Sequence, residues 1–199
     1  MVESSETMLA YAFKTLSKGG KGKKAEEKIY RRDQRINFTE REIRKRVLVH
    51  LAVNKTANLP EYLGLISIAK DAERLGDYVK NVYELKQLTD GIETTSPLFE
   101  TLFTGIGGEM LDLFTLVTSA FRDCDRECAL KAISTGGAIA DRCESIILDI
   151  IATEKNVPQA VVLALGARYL KRIARHLTNI ASSVVNPMPD LDFSTTVDD

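Results

Sequence analysis

Two acidic residues, Glu73 and Asp77, stand four positions apart in a segment with helical periodicity. Side chains with this spacing project from one side of a helix, so both carboxylates extend from the same flank. Asp33, Asn37 and Glu40 lie along or beside the apolar stripe of the preceding helical segment. If the two segments pack through their stripes, these oxygens face a shared groove, where carboxylates repel one another unless cations are present. The spacing alone favours a solvated acidic patch, with a site for iron, manganese, magnesium or zinc as the alternative.

The same helix face is present a second time, with its charges reversed. The stretch RYLKRIARHLTN, residues 168–179, aligns with KDAERLGDYVKN, residues 70–81, and places Lys171 and Arg175 where the first copy has its two acids. The helical segment before it contains no carboxylate between residues 128 and 140. We therefore expect any metal ion on the first copy only, because a dication near two fixed positive charges meets roughly 4 kcal/mol of repulsion per unit charge at close range.

Lys171 and Arg175 allow three interpretations. We favour a flank that simply meets solvent. The other two are that these cations take the place of metal ions, since lysine and arginine supply fixed positive charge, or that they bind an anion or a partner. A second basic region, RRDQR and REIRKR at residues 31–35 and 41–46, alternates with acids and is interpreted as an ordinary solvated helix face.

The elements that position these residues are all predicted to be helices. The segments between the few prolines carry apolar residues at spacings of three and four, and no strand pattern is present. Glycine, asparagine, proline and polar clusters mark the ends of the segments. The predicted helices span residues 6–18, 24–54, 59–89, 96–122, 125–154 and 158–185.

An internal duplication divides these helices into two sets of three. Residues 58–81 and 156–179 align without a gap and share six residues, including the proline that opens each helix. We therefore predict an all-α fold of two tandem three-helix-bundle repeats, at residues 1–92 and 93–186. Residues 187–199 lose the helical periodicity and gain acids, so they are expected to form a mobile acidic tail.

Composition excludes several classes of protein. The chain of 199 residues has a net charge of −1 and 44% apolar residues, which suits a globular protein with no need of nucleic acid to balance its charge. Its longest weakly charged stretch is too short for a membrane span and its start lacks the pattern of a signal peptide, so a cytoplasmic location is expected. Neither glycine-rich stretch completes a phosphate-binding loop, and no nucleophile–base pairing is evident, so neither nucleotide binding nor catalysis is expected.

The stretch AERLGDYVKN, in a helix opened by a proline and echoed as LKRIARHLTN, resembles the PhoU family of phosphate-uptake regulators. The resemblance covers about residues 6–186. It implies a duplicated pair of three-helix bundles in a cytoplasmic protein that is not an enzyme. Such a protein restrains phosphate uptake and phosphate-regulon signalling through a phosphate transporter and a sensor kinase. A homodimer is one assembly compatible with this expectation.

The resemblance also implies a metal site, because some members of the family bind multinuclear iron or zinc clusters through an acid-x-x-x-Asp pair on each of the two longer helices of a repeat. Glu73 and Asp77 match that motif in full, and Asp33 matches its first acid on the preceding helix. Asn37 stands where a second acid is usual, and Glu40, one turn on, is placed to compensate. The implied ligands are these five residues, on the first repeat only, with iron or zinc as the metal.

Two other functions remain as alternatives. A metal-free helical adaptor that kept the fold and changed its partner would explain why the second repeat has lost its acids. A carboxylate-bridged metalloenzyme on a helical bundle agrees less well with the sequence. The ferritin-like pattern requires Glu-x-x-His on two helices, and this sequence contains none.

Overall fold

The structure is a computed structural model that describes residues 1–18, 23–89 and 92–186. Within these ranges the chain forms six helices in two sets of three and no strand, so the predicted all-α fold of tandem repeats is confirmed. None of the helices in these ranges is both long and apolar enough to cross a membrane. The predicted mobile tail at residues 187–199 lies outside the described residues.

The first repeat consists of three helices joined by short connections. They are α1 (Val2–Lys18), α2 (Lys23–Val53) and α3 (Leu59–Glu84), and a 3₁₀ turn (Leu85–Leu88) follows the last of them. Helix α1 begins four residues earlier than predicted, because the polar residues at the chain start continue the helix rather than precede it.

The second repeat contains the other three helices, the first of which is irregular. Helix α4 begins as Pro97–Phe99, passes through a π-helical segment at Glu100–Ile106 and continues as Gly107–Asp123. Helices α5 (Arg126–Thr153) and α6 (Val157–Val185) follow. The π-helical segment was not predicted, since apolar spacing does not distinguish it from a regular helical turn.

The helix starts in the second repeat are fixed by local hydrogen bonds. Asp125 accepts a hydrogen bond from the Cys128 amide at 3.0 Å, and Asn156 accepts one from the Gln159 amide at 3.2 Å. Each side chain satisfies an amide that the helix itself leaves without a partner. Asn58, the first-repeat counterpart of Asn156, makes no such bond to the backbone of α3.

Helices α3 and α6 pack against each other between the two repeats and run antiparallel. Asp71, in the first half of α3, lies 3.3 Å from Asn179 near the end of α6, whereas Tyr78, further along α3, contacts Tyr169 near the middle of α6. The apolar stripe of α6 is buried throughout, but that of α3 begins with Leu65, which is 39% exposed. The interface between the repeats therefore begins about one turn later on α3 than the sequence pattern indicates.

A single apolar core joins both repeats, with side chains from all six helices. Its largest fully buried residues include Tyr83, Phe99, Phe114, Leu75, Met110 and Ile139. The π-helical segment places Phe103 directly over Gly166 of α6, where an added Cβ would lie 2.4 Å from the ring. Only glycine allows α6 to approach the aromatic ring this closely.

Candidate functional site

A lysine occupies the predicted acidic groove between α2 and α3. Lys80, three residues after Asp77 on α3, donates hydrogen bonds to Asp33 Oδ2 of α2 at 3.1 Å and to Asp77 Oδ1 at 3.2 Å. The side chain of Lys80 is 22% exposed and that of Asp33 is 8% exposed. The ammonium group therefore joins carboxylates from both helices and lies where a bridging cation was expected.

The surrounding charges keep Lys80 protonated. Burial alone lowers the pKa of a lysine, because it penalises the charged form. Here the hydrogen bonds and negative charges of Asp33 and Asp77 outweigh burial, so the pKa of Lys80 is raised above its usual value. The groove thus contains a permanent positive charge at neutral pH.

The other two predicted acids also have cationic partners from the protein itself. Glu73 Oε2 accepts a hydrogen bond of 2.7 Å from Lys70, one turn earlier on α3. Glu40 is buried on α2, and its Oε1 lies 2.6 Å from Arg44 Nε. Neither of those two atoms makes a hydrogen bond, so their contact is ionic. All four carboxylates are therefore balanced by lysine or arginine.

Three buried oxygens of the predicted ligand set have no hydrogen-bond partner within residues 1–18, 23–89 and 92–186: Asp33 Oδ1, Asn37 Oδ1 and Glu40 Oε1. Glu40 Oε1 has its ionic contact with Arg44, and the other two are acceptors of the kind that cations bind. Among the described residues, however, no three His, Cys, Asp or Glu side chains come close enough together to hold a metal ion. The structure unites Asp33 and Asp77 through Lys80 and leaves Glu40 and Glu73 in separate ion pairs. This arrangement does not fit a multinuclear cluster.

The reversed charges of the second repeat are balanced within the chain. Lys171 forms an ion pair with Glu144 of α5, and Arg175 Nη2 lies 3.8 Å from Asp141 Oδ1 of the same helix. The two acids follow immediately after the carboxylate-free segment 128–140, and their side chains are 59% and 73% exposed. The expectation of a flank that simply meets solvent is therefore wrong, because both cations have intramolecular partners at the surface.

A buried polar cluster at the interface between the repeats was not predicted as a functional feature. Asp71 Oδ1 of α3 lies 2.6 Å from His176 Nδ1 of α6 and 3.3 Å from Asn179 Nδ2. Asp71 and His176 are only 8% and 6% exposed. The one signal in the sequence is a histidine beside the apolar stripe of α6, whose partner lies 105 residues earlier.

The same interface contains a local two-fold axis. Tyr78 and His176 occupy equivalent positions in the repeat alignment, and their rings stack with centroids 5.5 Å apart. Tyr169, the equivalent of Asp71, contacts Tyr78 with centroids 6.3 Å apart. The contact between Asp71 and His176 is therefore repeated across the axis as the contact between Tyr169 and Tyr78. The repeats meet through a polar pair on one side of the axis and an aromatic pair on the other.

Comparison with known proteins gives the same division of the chain. The family model described as the PhoU domain matches residues 1–85 and 104–184. The chain belongs to the PhoU family. The match agrees with the two repeats, while the predicted boundary between residues 92 and 93 falls in the unmatched connection and stays a prediction.

Individual relatives support this assignment. A protein of Xylella fastidiosa described as "Phosphate-specific transport system accessory protein PhoU homolog" is 24% identical over 168 residues, covering 81% of this chain and 70% of the relative. The crystal structure of PhoU from Pseudomonas aeruginosa has a TM-score of 0.81 at 23% identity, covering 93% of this chain and 90% of that one. For the phosphate transport system regulatory protein PhoU from Streptococcus pneumoniae the TM-score is 0.71 at 20% identity, with coverage of 98% and 95%.

Proposed function

We propose that this protein is an accessory regulator of phosphate transport and phosphate-regulon signalling that acts by binding other proteins. The observation that carries the proposal is that both halves of the chain match the PhoU domain and pack face to face about a local two-fold axis. The relatives from Xylella fastidiosa and Streptococcus pneumoniae are named as accessory and regulatory proteins of phosphate transport systems. A phosphate transporter and its sensor kinase are the partners that we propose, in the cytoplasm.

A cellular experiment tests this role. We expect deletion of the gene to leave phosphate uptake and a phosphate-regulon reporter high in phosphate-replete medium, because the restraint on both is lost. Re-expression of the wild-type chain should restore low values, and an affinity-tagged copy should recover the transporter or the kinase. Unchanged uptake and reporter activity after deletion would overturn the proposal. Normal regulation with recovery of unrelated proteins only would instead favour the adaptor with a changed partner.

We further propose that Lys80 supplies the positive charge that a metal ion was expected to supply in the first repeat. The support is that Lys80 binds Asp33 and Asp77 together, while Lys70 and Arg44 balance the remaining two acids. Binding of iron or zinc by Asp33, Asn37, Glu40, Glu73 and Asp77 stays a prediction. It requires a rearrangement in which a metal displaces the lysine and uses the unpartnered oxygens of the groove.

Elemental analysis of protein purified without a chelator distinguishes these two possibilities. The lysine proposal predicts far less than one bound metal ion per wild-type chain. Lys80→Gln should gain zinc when zinc is supplied, because two carboxylates lose their counterion, whereas Lys171→Gln should not. Stoichiometric iron or zinc in the wild type that is lost in Glu73→Gln with Asp77→Asn would contradict the lysine proposal and support the metal site.

A further inference from the structure

Helix α2 has an outer face, turned away from α3, on which basic side chains are exposed. Residues 28–46 contain eight basic and three acidic residues, a local net charge of +5 in a chain whose total is −1. The exposed basic residues of this face form no ion pair with any residue that the structure describes; they are Lys28, Arg31, Arg32, Arg35, Arg41, Lys45 and Arg46. Within the part of the chain that the structure describes, the outer face is therefore a row of basic side chains without ion pairs.

Folding buries two of the acids of α2 while most of its bases stay exposed, although the acid Glu27, one turn before Arg31, is exposed as well. Asp33 and Glu40 point inward and are 6% and 5% exposed, while their basic neighbours in the sequence point outward. Glu42 is the third acid in this part of the helix, and it is half-buried. The bases are exposed, as expected of a solvated helix face, but two of the acids that alternate with them in the sequence are buried, so the surface that α2 presents carries an excess of positive charge.

Exposed apolar side chains lie in the same row as the charges. Phe38 is 63% exposed, and Val49 is 57% exposed. Steps of four, three, four, three and four residues lead from Arg31 through Arg35, Phe38, Glu42 and Lys45 to Val49, so these side chains, one half-buried acid among them, line up along one side of the helix. An exposed aromatic ring thus lies among the basic side chains, and an exposed aliphatic side chain ends the row.

We propose that the outer face of α2 binds the surface of an anionic lipid bilayer, with the helix lying parallel to it. Lipid phosphates would balance the row of cations, and the boundary between headgroups and acyl chains would accept Phe38 and Val49. A DNA duplex would offer phosphates but no apolar layer for these two side chains. The groove of Asp33 and Lys80 lies on the opposite side of the helix and stays free. This inference does not depend on the proposed role in phosphate transport.

Co-sedimentation with vesicles tests the proposal on the intact chain. The vesicles contain phosphatidylglycerol and phosphatidylcholine in equal parts, or phosphatidylcholine alone. The test variant combines Arg31→Gln, Arg35→Gln and Lys45→Gln. The matched control combines Arg74→Gln, Arg168→Gln and Arg172→Gln, which removes the same charge from exposed residues of α3 and α6 that form no ion pair with any described residue. Thermal unfolding by circular dichroism verifies that both variants are folded.

The wild type should bind the anionic vesicles and not the neutral ones, and binding should weaken as salt is added. The test variant should bind roughly a hundredfold more weakly, and the control should stay close to the wild type. Phe38→Ser should weaken vesicle binding by about tenfold, because the ring no longer enters the apolar layer.

Three results would overturn the proposal. The first is absence of binding to anionic vesicles by the folded wild type. The second is an equal loss in the test variant and the control, since the effect would then come from net charge and not from this face. The third is binding to a DNA duplex as tight as binding to vesicles with no effect of Phe38→Ser, which would assign the face to polyanions in general.

Discussion

The two repeats balance the same helix flank in opposite ways. In the first, Lys80 lies between Asp33 and Asp77, and the ion pair spans two helices with side chains only 22% and 8% exposed for Lys80 and Asp33. In the second, Lys171, which is as buried as Lys80 at 19% exposed, and Arg175 pair with Glu144 and Asp141, whose side chains are 59% and 73% exposed, so the flanks differ in the burial of their acids. Burial, more than the sign of the charge, is the difference that matters for stability.

The ion pairs between helices have the same polarity in both repeats. In the first, the acid Asp33 lies on α2 and its base Lys80 on α3, and in the second the acids Asp141 and Glu144 lie on α5 and their bases Arg175 and Lys171 on α6. The exchange of acids for bases at positions 171 and 175 therefore leaves the order of charges between the two helices unchanged.

Removing Lys80 should produce the largest loss of stability. Lys80→Ala leaves the buried carboxylate of Asp33 without a counterion, so we expect it to lower the free energy of unfolding by about 3 kcal/mol. The corresponding change at the surface pair, Lys171→Ala, should cost less than about 1 kcal/mol. Urea unfolding followed by circular dichroism measures both. Equal losses would show that the two flanks are energetically alike.

Replacing the two histidines should lower the free energy of unfolding by unequal amounts, and the difference should be similar to that between Lys80→Ala and Lys171→Ala. His176→Ala removes the partner of buried Asp71 and the ring that stacks on Tyr78, and we expect it to cost about 2–3 kcal/mol. His50→Ala, at an exposed position on α2 of the first repeat, should cost less than about 1 kcal/mol. The same urea experiment applies. A cost below 1 kcal/mol for His176→Ala would mean that the polar cluster contributes little to the interface between the repeats.

Two buried glycines test packing on the long helices. Gly166→Ala would place its Cβ against the ring of Phe103 at 2.4 Å, so we expect a loss of about 2 kcal/mol from overpacking. Gly76→Ala meets the flexible end of Ile36 at 3.0 Å, and alanine's higher helix propensity, worth about 1 kcal/mol, should largely offset that contact. Melting temperatures of the two variants provide the comparison. A more stable Gly166→Ala would contradict the packing described for the π-helical segment.

Ionisation of Tyr30, on α2 of the first repeat, should lower the stability of the protein slightly, and only at high pH. Tyr30 donates a hydrogen bond of 2.7 Å to Glu84; this bond, with burial and the charge of Glu84, raises the pKa of Tyr30 to about 12. The stabilisation is therefore fully present below the usual pKa of 10 and is lost as the pH rises through about 12. Ultraviolet titration of the wild type should show a tyrosine that ionises near pH 12, and this step should be absent in Tyr30→Phe. An unchanged late titration in the variant would assign it to another tyrosine.

Much of the fold was predictable because it follows from local patterns. The register of Pro60 and Pro158, together with apolar residues at spacings of three and four, predicted the six helices and the duplication. The π-helical segment at Glu100–Ile106 was not predictable, because its sequence also suits a regular helix and tertiary packing around Phe103 decides between the two.

The site was predictable only in part, because its decisive contacts are distant in the sequence. The acids of the groove were identified from their spacing, but their counterion was not, since the pairing of Lys80 with Asp33 spans 47 residues. Asp71 and His176 are 105 residues apart and have no shared motif. Which of the charges on α2 turn inward depends on how that helix packs against α3, and the order of residues alone does not reveal it.

Double-mutant cycles at the two flanks test the central claim most directly. The claim is that the flank of the first repeat depends on an ion pair with a buried acid, Asp33, while the acid that pairs with Lys171 in the second repeat is exposed. For the first flank, free energies of unfolding would be measured for Lys80→Met, Asp33→Asn and the double mutant. For the second flank they would be measured for Lys171→Met, Glu144→Gln and that double mutant. We predict a coupling of about 2 kcal/mol between Lys80 and Asp33 and of about 0.5 kcal/mol or less between Lys171 and Glu144. Coupling near zero between Lys80 and Asp33, or equal coupling at the two flanks, would contradict the account.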